Sequence, residues 1–429
     1  MGVSISRQIP LSALGQTRVA DRRQHGSPMT SPETPTGRRM GRRSVLGVLG
    51  AIPVATGGLW AASAAGAGPA DASIVPSGLR PGGEFDRYVA QLAADNLFSG
   101  TVLLVHRDRP TLARSYGMAD KRRSIRNGPD TIYALGSVTK VFTAVAIAQL
   151  AQQGKLAYNG TLGTYLDGFP AAVADTVTIH HLLTHTSGMR DYMQDPDFWP
   201  ESAKWTSAEQ VMDGCLQFIR KAPLAFAPGT QSVYSNSGYH TLGAIVAKVS
   251  GKSYYDYIRE RIFRPAGMST SDFYTKPQWL DDRRIAHPYT AQRQPAGQLV
   301  DAIDGYHLYI GSPAGNAFSN AADLVRFTKA LLGNKLLNPA FTELTLSPKS
   351  PRAPLQPKPG PLPITFNTYA TAADLVNNQW VIGHNGGAPG ISTNLEWYPA
   401  KDWVAIVLSN YDPSPAAAVD LKARQLIAQ

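Results

Sequence analysis

Three short stretches of this chain carry side chains able to do covalent chemistry. The first is the pair Ser137 and Lys140 in "YALGSVTKVFTAVAIAQLAQQGKL", Tyr133 to Leu156. A serine hydroxyl is a weak nucleophile until a base removes its proton. Lysine can be that base only as the neutral amine, which needs burial or an unfavourable field. The sequence promises both. From Val141 to Ala151 it is apolar or small on every side, the mark of a buried helix, and Gly154 ends it. Lys140 falls in the first turn, at the positive end of the helix dipole, where an ammonium is disfavoured. A spacing of three puts Ser137 and Lys140 on one helical face. No other lysine in the chain has a serine three positions before it.

The second stretch is "PGTQSVYSNSGYHTLGAIVAKVSG". Tyr234-Ser235-Asn236 reads as an extended segment, so Tyr234 and Asn236 point to one side, ahead of a helix starting near Tyr239. A phenol can serve as general acid or base, and an amide side chain can hold a carbonyl. The third is "GHNGGAPG", with His384-Asn385-Gly386-Gly387 at the end of a strand. Glycines there let another backbone approach closely and leave N–H groups able to receive developing negative charge.

The elements that must position these residues can be traced along the chain. Phe85–Asn96 reads as an amphipathic helix, followed by strands over Ser99–Arg107 and Thr111–Ala119 joined by a turn containing Asp108 and Pro110. Residues 158–310 read as short helices and loops. "DLVRFTKALLG" is a helix stopped by Gly333, and the proline-dense stretch 347–363 reads as an extended surface loop. Strands near "WVIGHN", "TNLEWYP" and "VAIVLSN" and a helix from about Ser414 close the chain. Strands at both ends with a helical middle predict an α+β fold: one antiparallel sheet made by both chain ends, flanked by helices, with a mostly helical region inserted. On this reading 81–157 and 311–429 form the sheet-bearing part and 158–310 the insert.

Taken together, the three motifs resemble the serine β-lactamase and penicillin-binding family, in the branch of class C β-lactamases, DD-peptidases, D-aminopeptidases and related esterases. S-x-x-K, Y-x-N and H-x-G occur in that family's order, at separations of 97 and 247 residues from Ser137. "FSGTVLLV", "TIHHLLTHTSGM", "RIFRPAGM" and "SPAGNAFSNAADLVRF" are similar to it too, so the resemblance covers about residues 85–429. It implies a β-lactamase/transpeptidase-like fold and a hydrolase working through an acyl-enzyme, with no cofactor and no metal. Ser137 would be the acylated nucleophile, Lys140 its base and Tyr234 the proton shuttle to the leaving group. Asn236 would hold the substrate amide, and the backbone N–H groups of Ser137 and Gly387 would form the oxyanion hole. His384, Asn385 and Gly386 would complete the substrate edge, with His384 facing a substrate carboxylate or Tyr234. An unperturbed histidine titrates near 6.5.

Two departures bear on substrate. The third motif reads His-Asn-Gly, and the threonine whose hydroxyl grips a β-lactam or D-alanine carboxylate in that family is replaced by Asn385. This favours small esters and D-amino-acid amides or peptides over efficient β-lactam hydrolysis. The alternative is a non-catalytic penicillin-binding or scaffold protein, against which intact Ser137, Lys140 and Tyr234 weigh. Asn316 stands where relatives often have glycine. His181 and His185 are spaced i, i+4, but Leu182 replaces the glutamate of a zinc-binding H-E-x-x-H, so they read as structural. Tyr192, Trp199 and Trp205 could line a pocket or pack in the core.

Composition narrows the partners. The formal charge of +10 is concentrated in residues 1–43, which hold eight arginines against Asp21 and Glu33 and so carry +6 of it. Beyond them no basic stripe interleaved with aromatics occurs, and no G-x-x-x-x-G-K-[ST] loop, so nucleic-acid and nucleotide binding are not expected. Cys215, the only cysteine, allows no intrachain disulfide and reads as packing in a helix. Residues 1–64 read as an export signal: arginine pairs, an apolar run from about Val45 to Trp60, then small residues near Ala62-Ser63-Ala64. Arg42-Arg43-Ser44-Val45-Leu46 resembles a twin-arginine signal, with 65–80 as linker. A periplasmic or secreted bacterial location follows, with the membrane met only during export. Replacing Arg42 and Arg43 by lysine is expected to leave unprocessed precursor in the cytoplasm, as read by fractionation; unchanged processing would point to the general secretory route.

Overall fold

The computed structural model describes residues 75–292, 294–295, 298–352, 364–412 and 415–429. The export segment, most of the expected linker and residues 353–363 of the proline-dense stretch lie outside them. The expected antiparallel sheet is present and has eight strands: β1 (Gly100–His106), β2 (Arg109–Tyr116), β3 (Ser350–Pro351), β4 (Ile364–Asn367), β5 (Ala372–Val376), β6 (Gln379–Ala388), β7 (Ile391–Tyr398) and β8 (Trp403–Ser409). Their order is β2-β1-β8-β7-β6-β5-β4-β3. The two chain ends meet one strand in from the β2 edge, where β1 pairs with β8 from Gly100↔Ser409 to His106↔Trp403.

Alternation along the central strands sends side chains to two cores. Val102, Leu104, Ala405 and Val407 join one core with Phe85 and Val89 of α1 (Glu84–Ala94). Ile406 and Leu408 join the other, with α2 (Thr139–Gln152) and the helices of the insert. Every residue of α2 from Thr139 to Leu150 is buried, so its uniformly apolar sequence has the environment it needs. The insert contributes α3 (Ala208–Lys221) and α4 (Asn236–Ser250), followed by α5 (Ala321–Leu332).

Several boundaries differ from expectation for local reasons. Leu79, inside the expected linker, is fully buried, so ordered packing begins before residue 80. The β1–β2 turn is Arg107-Asp108, both at positive φ, and Pro110 lies within β2 at the sheet edge, where a missing N–H costs no ladder bond. At the opposite edge, Ser350–Pro351 of the proline-dense stretch forms β3. α4 begins at Asn236 rather than near Tyr239, so Asn236 is already helical while Tyr234 is not.

The C-terminal helix α6 (Pro415–Ile427) is tied to the sheet by one arginine. Arg424 donates to Glu396 of β7 at 2.8 Å and to Asp374 of β5 at 2.7 Å, and lies 3.2 Å from Asp420. Glu396 is 1% exposed, and Tyr398 also donates to it. Removing one partner of a buried pair leaves a charge without compensation. Arg424→Met is therefore expected to cost about 3–5 kcal/mol, read as a lower urea midpoint; a change under ~1 kcal/mol would show that Glu396 simply takes up a proton without strain.

Candidate active site

The turn that presents Ser137 is held from three directions. Residues Gly136–Val138 form a 3₁₀ turn leading into α2. The carbonyl of Leu135 accepts from Thr393 of β7 at 2.8 Å, and the Leu135 N–H donates to the Ala317 carbonyl at 2.8 Å. The Gly136 carbonyl accepts from Thr139 Oγ1 at 2.7 Å and from the Asn316 N–H at 3.1 Å. β6 runs directly alongside. A Cβ on Gly386 would sit 2.0 Å from the Leu135 carbonyl oxygen, so only glycine permits this approach. A Cβ on Gly136 would lie 2.9 Å from the Gly387 nitrogen, which puts the Ser137 turn and Gly387 edge to edge. Past Gly383 the pairing of β6 with β5 has ended, and His384 to Ala388 pair only with β7 among the described residues.

Lys140 is 0% exposed. Its amine donates to Asn236 Oδ1 at 2.8 Å and to the Ala314 carbonyl, and shares a 3.1 Å hydrogen bond with Ser137 Oγ. The rings of Tyr234 and Tyr239 lie 4.9 and 5.6 Å away. With no carboxylate in contact, burial pushes its pKa down to about 7, opposed by the more distant charge of Asp191. A neutral amine has two N–H groups and one lone pair. The two acceptors, Asn236 and Ala314, take the former and leave the latter to Ser137. Tyr234 Oη donates to the same Ser137 Oγ at 2.7 Å, and burial raises its pKa so that it stays protonated. The arrangement can therefore take a proton from the serine on one side and offer one on the other.

The structure thus brings Ser137, Lys140, Tyr234 and Asn236 together and sets His384-Asn385-Gly386-Gly387 beside them. His384 stands half-buried at the cleft edge. Its Nδ1 is 2.6 Å from the Asn385 carbonyl, and desolvation, then the charge of Lys140, pushes its pKa down to about 3. These surroundings disfavour a charge on the imidazole, on which any attraction to a substrate carboxylate would depend. Asn385 is exposed. Of the three aromatics, Trp199 lines a cavity of about 250 Å³ beside Ser137, whereas Tyr192 and Trp205 are core residues. Cys215 is buried in α3, and burial raises its thiol pKa. His185 packs its ring 4.6 Å from Tyr234 and accepts from the Ser235 N–H at 3.3 Å, and His181 caps a short helix by accepting from the Thr178 N–H. Among the described residues no His/Cys/Asp/Glu group could hold a metal.

Two residues escaped the sequence reading. Asp191 Oδ2 accepts from Asn236 Nδ2 at 2.7 Å and from the Asn236 N–H at 3.2 Å, which fixes the amide so that Oδ1 meets Lys140. The signal was an aspartate just after "HTSGMR", with nothing to say which loop it would face. Arg352 lines the cleft with His384 and, on its other side, a small pocket with Tyr234. The structure also accounts for Asn316. Its φ is +63°, a left-handed conformation that asparagine tolerates better than other side-chain-bearing residues, which is why glycine's place can be filled by it.

The chain belongs to the Beta-lactamase family, whose model matches residues 85–429. The family is one of serine hydrolases of the penicillin-binding and β-lactamase type. The chain is 30% identical over 253 residues to PbpX of Bacillus subtilis (strain 168), covering 59% of this chain and 60% of that one, so it spans less than two thirds of that relative. A penicillin-binding protein from Bacillus halodurans shares 28% identity with a TM-score of 0.69, covering 79% of this chain and 99% of that one. The D-amino acid amidase of Ochrobactrum anthropi SV3 shares the fold at 20% identity, TM-score 0.66, covering 80% and 97%.

The Asp191 carboxylate favours the charged form of Lys140, so removing it should lower the lysine pKa further. In the wild type, kcat/KM for a neutral ester is expected to rise with pH through about 7. In Asp191→Asn that acid limb should move to lower pH, with a lower plateau as Asn236 loses its anchor. A limb that stays in place would remove Asp191 from the electrostatics of the site.

Proposed function

We propose that this protein is an exported serine hydrolase that works through an acyl-enzyme at Ser137. The observation that carries the reading is Ser137 Oγ held between a lysine amine at 3.1 Å, its pKa lowered to about 7, and a protonated tyrosine at 2.7 Å. As Ser137 Oγ bonds to the acyl carbon, its proton passes to the Lys140 lone pair, and the oxygen of the former carbonyl takes the negative charge against the Ser137 and Gly387 N–H groups. Collapse breaks the bond to the leaving group, which takes a proton from Tyr234, and the Lys140 ammonium returns the proton it took from Ser137 to the oxygen of Tyr234, whose ring lies 4.9 Å from it. A water then attacks the ester by the same route in reverse and frees Ser137. No metal or organic cofactor enters this sequence.

Esters and D-amino-acid amides or peptides are favoured over β-lactams as substrates, because Asn385 replaces the carboxylate-gripping hydroxyl and a charge on His384 is disfavoured. Tyr234 marks the leaving-group side of the cleft, and Arg352 on that side carries a permanent charge that an anionic leaving group would meet. The N-terminal reading supports export, and the partner is a small molecule or peptide rather than a nucleic acid.

Ser137→Ala is expected to abolish covalent labelling by a fluorophosphonate or penicillin probe while leaving the thermal unfolding transition in place. Adduct mapped by mass spectrometry to another serine would remove Ser137 from the nucleophile's role and leave a binding protein of this fold as the better reading.

A further inference from the structure

The proposed chemistry gives the two sides of Ser137 different tasks. Tyr234 protonates what leaves, so the cavity on the side of Asn236, away from Tyr234, receives the acyl group that stays on Ser137. That cavity is about 250 Å³ and is walled by Met193, Trp199, Leu308, Ala388 and Pro389. Its polar walls are uncharged as well. Asn316 reaches His307 Nδ1 at 3.3 Å, and His307, whose Nε2–H donates to the Pro389 carbonyl at 2.9 Å, is neutral because burial pushes its pKa down to about 4. No carboxylate lines it among the described residues. Asp191, the nearest, stands behind Asn236 with its oxygens accepting from Asn236 and from the Met193 N–H at 3.0 Å. Two lysines stand near it: Lys140 touches the cavity wall through Asn236 Oδ1, and the charge of Lys276 acts on His307.

We propose that this cavity is an acyl subsite for an uncharged, apolar group, and that it rejects acyl groups bearing a free α-ammonium. This rests on the hydrolase reading above and narrows it, against free amino-acid amides and toward esters or peptides whose acyl part is N-blocked or carries no amine. An ammonium entering here would lose water without gaining an acceptor of opposite charge, and would stand on the same side as Lys140.

Three thioesters with one common leaving group test this in the full chain: phenylacetyl, phenylglycyl with its free amine, and N-acetylphenylglycyl. Each kcat/KM is divided by the rate of hydroxide hydrolysis, which removes intrinsic reactivity. The expected normalised order puts phenylacetyl and N-acetylphenylglycyl at least about tenfold above phenylglycyl. Trp199→Glu, at a rim position 38% exposed, places a carboxylate in the wall and is expected to shift the phenylglycyl-to-phenylacetyl ratio upward by about tenfold. Should that variant fold poorly, the wild-type order alone decides. Equal normalised rates for all three, with acyl adducts on Ser137, would overturn the subsite and leave the hydrolase intact. No adduct from any of them would overturn both.

Discussion

The structure is organised around an amine that is taken out of water and given no counter-ion. Lys140 is surrounded by a hydroxyl, an amide oxygen, a backbone carbonyl and two phenol rings. A pKa lowered from 10.5 to about 7 corresponds to about 5 kcal/mol against the charged form. The sign for stability follows. Between pH 7 and 10.5 the unfolded chain binds a proton at this site that the native chain does not, so this group alone makes stability rise with pH across that window. A hydrophobic residue would fill the same space at lower cost. The burden is tolerable because α2 is buried along its length from Thr139 to Leu150, and the packing of that helix outweighs one unpaired amine.

Holding that amine against Ser137 is the work of elements far apart in the chain. α2 supplies both residues, but the turn before it is pinned by Thr393 of β7 and by the Ala314–Ala317 segment, and the second N–H of the amine needs Asn236 from α4. Gly386 then brings β6 against the Leu135 carbonyl. The antiparallel closure of both chain ends is what lets these parts converge: β1, beside the edge strand β2, leads toward α2, while β6 and β7 return from the other end to flank it. The sheet is therefore the frame that keeps strand edge and helix start in register, and Arg424 ties β7 and β5, the strands on either side of β6, to α6.

Much of this was legible because it rests on local pattern. A lysine at the start of an apolar helix, three residues after a serine, is visible in the sequence and the structure makes it the centre of the site. Strands β1, β6, β7 and β8 were legible by their β-branched and aromatic content. β4 and β5 were not: "ITFN" and "AADLV" are short, and only the pairing of β5 with β6 and of β4 with β5 makes them strands. Asp191 was invisible for a different reason. Its role depends on a contact across 45 residues of chain, and no spacing rule connects it to Asn236. The surroundings of His384, which disfavour a charge on it, were invisible for the same reason. Tyr234 and Asn236 were grouped correctly from a wrong premise: they do not share an extended face, because α4 begins at Asn236.

The departures from the family pattern form one consistent set. Asn316, at φ +63°, keeps a backbone conformation that glycine would serve, but adds an amide that reaches His307 and so helps close the wall of the acyl-side cavity. Asn385 removes a hydroxyl from the strand edge, and a charge on His384 is disfavoured, so the strand itself offers a substrate little beyond its backbone. Charge on the leaving-group side is left to Arg352, which belongs to neither the S-x-x-K, the Y-x-N nor the H-x-G element. Selectivity in this chain has thus moved off the catalytic motifs, which keep the chemistry, and onto walls and rims that the motifs do not specify.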